Sequence, residues 1–231
     1  MFGGPKVILF EDVPRPTPGT GEVLVRVMIA RRPASLSHLE AAALPVVGVM
    51  AWQMLFDHAH AREGQTVVVH GSAGNVGSYA VQLARSRKLQ IIGTIFSGDP
   101  GYVRALGADR VIDTKSQNLT ELGIRADIVI DTVGGKDQDQ LFGLLRPGGI
   151  IVSSVVRPKV QLAKQHQVQS DYLIVDVNTD QLTQLAQLHE RQELTIPVGS
   201  ILPLADAVAA HEMLAGTRAH QRGKIVIKIA P

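Results

Sequence analysis

The chain has 231 residues, 45% of them hydrophobic and only 4% aromatic, so it can form one large α/β domain, or one of ordinary size plus a smaller partial one, with a core of Val, Ile, Leu and Ala. With 23 Lys and Arg against 21 Asp and Glu, the net charge of +2 gives no reason to expect nucleic acid or another polyanion as partner. The absence of cysteine excludes disulfides, a thiolate nucleophile and cysteine-ligated zinc.

Residues 1–30 read as extended, with a β-type run over 22–27 behind an irregular connection marked by Pro14, Pro16, Pro18, Gly19 and Gly21. The opening MFGGPKVILFED has no basic region ahead of an apolar one. The longest apolar run, 41–52, contains Pro45 and is too short for a bilayer, so a cytoplasmic protein with no membrane partner is expected. Ser37 and Glu40 have the spacing of a capping box, opening an alanine-rich helix that Pro45 should interrupt, with a second helix over 49–61.

From residue 66 strand-like and helix-like segments alternate strictly. Strands are expected at 66–70, 90–96, 110–113, 127–131, 150–154 and 172–177, and helices at 76–87, 100–106, 138–145 and 180–191. Such alternation predicts a doubly wound α/β fold with a parallel sheet covered on both faces. The chain closes with a short apolar stretch at 201–202, a helix near 205–214 and a strand over 224–229.

The chemistry is carried by the turn after the first of these strands, VVVHGSAGNVG over 67–77. Gly74 and Gly77 occupy the second and third positions of a G-x-G-x-x-G fingerprint, and Ser72 stands at the first. Glycine is needed there so that a pyrophosphate can approach the backbone and the helix can pack close to the strand. Ser72, Ala73, Gly74, Asn75, Val76 and Gly77 are therefore candidate cofactor-binding residues, with the helix N-terminus aimed at the phosphates. A glycine-rich turn with no ligand is the alternative.

An NAD site would place Asp or Glu about 20 residues further on, at the end of the second strand. Thr94, Ile95, Phe96 and Ser97 stand there instead, which favours NADP: Ser97, with Tyr102 or Arg104, could hold a 2′-phosphate. Asp99 in the NAD role is the competing reading. His38, His58, His60, His211 and His220 match no recognised metal spacing and read as solvated or capping, and His70 reads as structural.

These motifs, in this order, resemble the medium-chain dehydrogenase/reductase superfamily, and within it the zinc-free quinone oxidoreductase-like branch. The resemblance runs from FGGPKVILFEDVPRPTPGTGEVLVRV through VVVHGSAGNVGSYAVQLAR, ALGADRVIDT, DIVIDTVGG and LLRPGGIIVS to RGKIVIKI. It implies a Rossmann-type domain over 34–195, and a truncated remnant of a GroES-like β catalytic domain formed by 1–33 and 196–231. It further implies hydride transfer from NADPH to a quinone, enone or similar small carbonyl compound in a zinc-free homo-oligomer. The stretch from Asp131 through Thr132, Val133 and Gly134 would pass the nicotinamide ribose, Ser153 and Ser154 would lie under the nicotinamide, and Lys224 joins the cofactor-binding set; no catalytic residue is assigned.

The chain also departs from that pattern. Ala30 runs almost directly into 33–37, where the family has most of its catalytic domain, and Met50 replaces a Thr that commonly approaches the nicotinamide. The N-terminal strand is expected to pair with the C-terminal one or with another subunit. A non-catalytic NADPH-binding remnant or regulator is thus the alternative to an enzyme.

Overall fold

The computed structural model describes residue 32 and residues 34–96, 98 and 100–229; the strand expected at 22–27, Ser97 and Asp99 lie outside the described residues. Leu44–Thr195 forms one compact unit, and the described residues on either side of it belong to a second.

The larger unit is a six-stranded sheet. Its strands are β1 (Thr66–His70), β2 (Gln90–Ile95), β3 (Arg110–Asp113), β4 (Ala126–Asp131), β5 (Leu145–Ser153) and β6 (Gln169–Tyr172), in the spatial order β3-β2-β1-β4-β5-β6 with every pair parallel. This is the Rossmann order, in which the winding reverses between β1 and β4 and opens a crevice at the carboxyl ends of the strands. Both faces are buried: Val67, Val68 and Val69 of β1 have no exposed surface, as expected for a parallel sheet under helices on each side. On one face Val68, Ile112, Val129 and Ile151 pack with Leu141, Phe142 and Leu144 into a continuous apolar cluster.

Helices α2 (Pro45–Trp52), α3 (Asn75–Ser86), α4 (Pro100–Leu106), α5 (Gln138–Leu141), α6 (Val160–His166) and α7 (Thr179–Glu190) complete this unit, preceded in the chain by α1 (His38–Ala43). The capping box forms as expected: Ser37 N donates to Glu40 Oε2 at 2.9 Å and Glu40 N to Ser37 Oγ at 3.2 Å. The alanine-rich helix is interrupted as expected, α1 ending at Ala43, and Pro45 itself begins α2. At the first helical position its missing N–H would have had no partner anyway and its φ is already helical. The helix expected over 49–61 is α2 followed by a π-helical turn, Gln53–His58. The wider turn is fastened to the start of α7, where Gln53 Nε2 donates to Asp176 O and Gln181 Oε1 at 2.6 and 2.8 Å and Gln181 Nε2 donates to Asp57 Oδ2 at 2.6 Å.

The strand expected at 172–177 is β6, which lies earlier. Its ladder with β5 ends where β5 ends, at the pair Ser153 and Tyr172, so the apolar residues beyond have no strand to join and Ile174 is exposed. The helix α6, which sequence reading missed, sits just before it and closes through Gln167 in the left-handed region. Likewise the helix expected over 138–145 stops at Leu141, passes through a 3-10 turn over Phe142–Leu144 and yields to β5 at Leu145.

In the second unit β7 (Val198–Pro203) pairs in parallel with β8 (Lys224–Lys228), α8 (Ala207–Leu214) connects them, and α1 packs on both strands. Among the described residues no helix is long and apolar enough to cross a membrane.

Candidate functional site

The chain leaves β1 at His70 and turns at Gly71, whose φ of +82° belongs to glycine. A Cβ there would lie 2.6 Å from both Thr132 Oγ1 and Val133 Cγ2. Ser72 stands at the first position of the fingerprint spacing, and the sharp turn itself is made one residue earlier by Gly71, in an even spacing of Gly71, Gly74 and Gly77. Ser72 is fully buried, and its N and Oγ both donate to Thr94 O, at 2.9 and 2.8 Å, tying the turn to β2. A Cβ on Gly77 would run into the Gly71 carbonyl oxygen and come within 2.8 Å of the Ser72 Cα, whereas one on Gly74 would meet only Gly71 O, at 3.2 Å. Gly77 therefore lets α3 sit against the turn, and Gly74 keeps the outer side of the turn clear.

Gly74 is the residue that opens α3, and the helix has no acidic residue in its first turn. The amide N–H groups of Asn75, Val76 and Gly77 find no acceptor among the described residues. Three convergent donors at the positive end of a 12-residue helix form an anion site. In front of them lies a cleft of about 370 Å³, lined by Gly71, Ala73, Gly74, Asn75 and Val76 on one side, Thr132 and Val133 on the other, and Ile95 and Phe96 at the end. Phe96 and Val133 hold exposed apolar surface at its mouth, at 75% and 49% exposure. The cleft fits a dinucleotide: any Cβ at Gly71 or Gly77 would close it or displace the turn, and its apolar end suits a flat ring.

The loops after β4 and β5 are held by Asp131, a fully buried side chain. Its Oδ1 accepts Val133 N and Gly134 N at 3.0 and 2.8 Å, and its Oδ2 accepts Gln138 Nε2 and Ser153 Oγ, both at 2.9 Å. Ser153 Oγ in turn receives Val155 N and Val156 N at 3.3 and 3.4 Å. The Ser153 hydroxyl is thereby committed to the protein, and what it offers a ligand is the position of the loop. Ser154, half-buried, follows it with its N donating to Asp131 O at 3.3 Å. Of the remaining candidates, Tyr102 and Arg104 stand on α4 outside the cleft lining, and Lys224 opens β8 in the other unit. Asp131 and Gln138 were missed as positioning residues, because a buried carboxylate is visible only once its four donors converge.

His70 ends β1 with its Nδ1 2.7 Å from Thr94 Oγ1. Burial pushes its pKa below the ordinary 6.5, against the opposing pull of the Asp131 and Asp137 carboxylates. The unfolded chain takes up this proton near 6.5 and the folded chain refuses it, so the contribution to stability is full above that pH and is lost as the pH falls through the lowered folded value. Urea midpoints should therefore drop between about pH 7.5 and about pH 5.5, and should drop less in His70→Gln. An equal drop in both would assign the effect to other groups.

The chain has no cysteine, and among the described residues no group of three His, Asp and Glu stands where it could hold a metal ion. His58, one of the histidines read as solvated, is paired instead with Asp171 at 2.7 Å.

Residues 106–227 match the family described as zinc-binding dehydrogenase. A protein of Arthroderma benhamiae described as a mitochondrial zinc-binding oxidoreductase is 31% identical over 218 residues, covering 87% of this chain and 65% of that protein. The 2-methylene-furan-3-one reductase of Solanum lycopersicum is 33% identical over 127 residues, 54% of this chain and 32% of that one. Among solved structures, the quinone oxidoreductase of Coxiella burnetii superposes with a TM-score of 0.80 at 32% identity, covering 87% of this chain and 63% of the other. The chain thus spans less than two thirds of the length of each of these three relatives.

Proposed function

We propose a hydride-transfer function from this premise: the chain belongs to the medium-chain dehydrogenase/reductase superfamily, through the zinc-binding dehydrogenase family matched by residues 106–227. It is an oxidoreductase of the nicotinamide-dependent kind, acting on a small molecule. Our finer reading is an NADPH-dependent, zinc-independent reductase of quinones, enones or similar electrophilic carbonyl compounds. The observation that carries it is the turn of Gly71, Gly74 and Gly77 in front of three unpaired helix-end amides at the switch point of the sheet.

NADPH, when bound, supplies the hydride. The chain's own residues do the rest. Asn75, Val76 and Gly77 would hold the pyrophosphate through backbone N–H groups, and Ala73 and Gly74 leave it room. Thr132, Val133 and Gly134, fixed by Asp131, would border the nicotinamide ribose, and the loop after Ser153 would support the ring. Preference for NADPH is supported by the end of β2, where Ile95 and Phe96 stand in place of a carboxylate. Ser97, with Tyr102 or Arg104 of α4, remains our candidate for the 2′-phosphate. We keep a Rossmann domain over 34–195 with a GroES-like remnant in 1–33 and 196–231 as our reading; the division into units supports its boundary between 195 and 196, while residues 34–43 group with the other unit. We also propose a cytoplasmic homo-oligomer, supported by β6, an edge strand that pairs only with β5 among the described residues.

Fluorescence titration with NADPH should show saturable binding, with NADH weaker by about tenfold, roughly 1.4 kcal/mol. NADPH consumption with a panel of quinones and enones then reads catalysis. Binding without turnover would favour a nucleotide-binding protein that no longer handles substrate, a reading supported by the shortfall in length against relatives. Failure to bind either nucleotide would overturn both.

A further inference from the structure

A second cavity, of about 440 Å³, lies among the helices of the larger unit, between the carboxyl ends of α2 and α3 and the second half of α7. The pattern of α7 builds one wall of it. Leu182, Leu185 and Ala186 are buried in the core, which turns Gln184, Gln187 and Arg191, spaced by three and four residues, together toward the cavity. Ser86 and Arg87, at the end of α3, and the almost buried Trp52 contribute the other lining.

The two cations are held in place by the protein. The Arg87 guanidinium lies over the Phe56 ring, 5.2 Å from its centroid, and Phe56 meets Trp52 edge to face at 4.9 Å. Arg191 is paired through Nε with Glu193 at 3.3 Å, which leaves its two terminal amino groups without a partner among the described residues. Two guanidinium groups against the one carboxylate of Glu193 give the lining an excess of positive charge. A lone arginine at a helix end serves the helix dipole. The same helix ends bring partial negative charge, so an anion is held here only where it engages both guanidinium groups at once. The side-chain amides of Gln184 and Gln187 both donate and accept, as hydroxyl groups require. Ser86 Oγ donates to Leu83 O at 2.8 Å and keeps its lone pairs for a further donor.

We propose that this cavity binds a sugar phosphate, with the phosphate between Arg87 and Arg191 and the hydroxyl groups on the amides of α7. A dianion matches two guanidinium groups, whose planar forks suit phosphate oxygens, and the volume lies in the range of small-molecule sites. The site is separate from the dinucleotide cleft, with which it shares no lining residue.

The test is titration of the full chain with glucose 6-phosphate, inorganic phosphate and glucose, read by calorimetry and by the fluorescence of Trp52, the chain's single tryptophan. Glucose 6-phosphate is expected to bind saturably at millimolar concentration or below and to shift the Trp52 emission, at least about fivefold tighter than phosphate, with no binding of glucose. Arg87→Gln and Arg191→Gln, both at exposed positions, should each weaken it by about tenfold or more without changing the melting temperature. Gln187→Ala should weaken glucose 6-phosphate by about fivefold and leave phosphate unchanged. Arg62→Gln, which removes the same charge outside this lining, should change nothing. No saturable heat up to about 10 mM, heat without a change at Trp52, or equal affinity for phosphate and glucose 6-phosphate would overturn the proposal. So would equal losses in Arg62→Gln and Arg87→Gln, or affinity unchanged in both Gln184→Ala and Gln187→Ala. Displacement of NADPH by glucose 6-phosphate, read by nucleotide fluorescence, would put the sugar phosphate in the other cleft and overturn it too. If NADPH fails to bind, the hydride-transfer reading falls while the titration without nucleotide still decides this one.

Discussion

Gly74→Val is expected to leave the protein folded and to weaken NADPH binding by at least about 100-fold, close to 2.7 kcal/mol. Gly74 has an ordinary φ of −77°, so a side chain brings no backbone strain, and its Cβ would meet only the Gly71 carbonyl oxygen at 3.2 Å. The branched side chain would instead occupy the cleft in front of the helix-end amides. Gly77→Ala should behave in the opposite way. Its Cβ would collide with the Gly71 carbonyl and the Ser72 Cα, backbone atoms that cannot swing aside. Overpacking of that kind costs about 3 kcal/mol, or a fall of about 10 °C in melting temperature, with nucleotide binding lost as a consequence. Calorimetry and fluorescence titration on the two variants separate the roles. Native affinity in Gly74→Val would remove the turn from the binding site, and native stability in Gly77→Ala would contradict the packing assigned to it.

Asp131→Ala carries the second large effect. The substitution strips the acceptor from Val133 N, Gly134 N, Gln138 Nε2 and Ser153 Oγ together, in a site with no exposed surface. Some of these donors will recover water as the loops relax, so the expected loss is about 4 kcal/mol and not the sum of four bonds. Because both loops at the carboxyl edge lean on this carboxylate, nucleotide affinity should fall too, by about tenfold or more. Ser153→Ala removes one donor and leaves the others in place, and should cost only about 1 kcal/mol. Urea denaturation measures both. Equal, small losses in the two variants would mean that Asp131 is not the common anchor.

Much of the fold was legible in the sequence because its causes are local. β1 and β3 were placed residue for residue: each is a short β-branched run bounded by turn residues. α4 was placed likewise, from Pro100 at its start to the left-handed Gly107 beyond its end. The capping box of Ser37 and Glu40 formed as its spacing requires. The readings that moved did so where a neighbour distant in sequence decided. The apolar stretch after Tyr172 looked like a strand, but β5 had already ended. The fingerprint spacing begins at Ser72, and only the left-handed φ of Gly71 reveals that the sharp turn is made one residue earlier.

By itself, then, the sequence determined the alternation of strands and helices, the parallel sheet and the glycine turn, since periodicity, β-branching and the conformational demands of glycine and proline act within a few residues. Tertiary structure decided which polar groups are occupied. Ser153 turns inward to a carboxylate 22 positions away, and His70 meets Thr94 through one nitrogen while its other nitrogen is buried without a hydrogen-bond partner among the described residues. A hydrogen bond depends on distance and direction between atoms that strand order alone brings together, and no local pattern encodes that order.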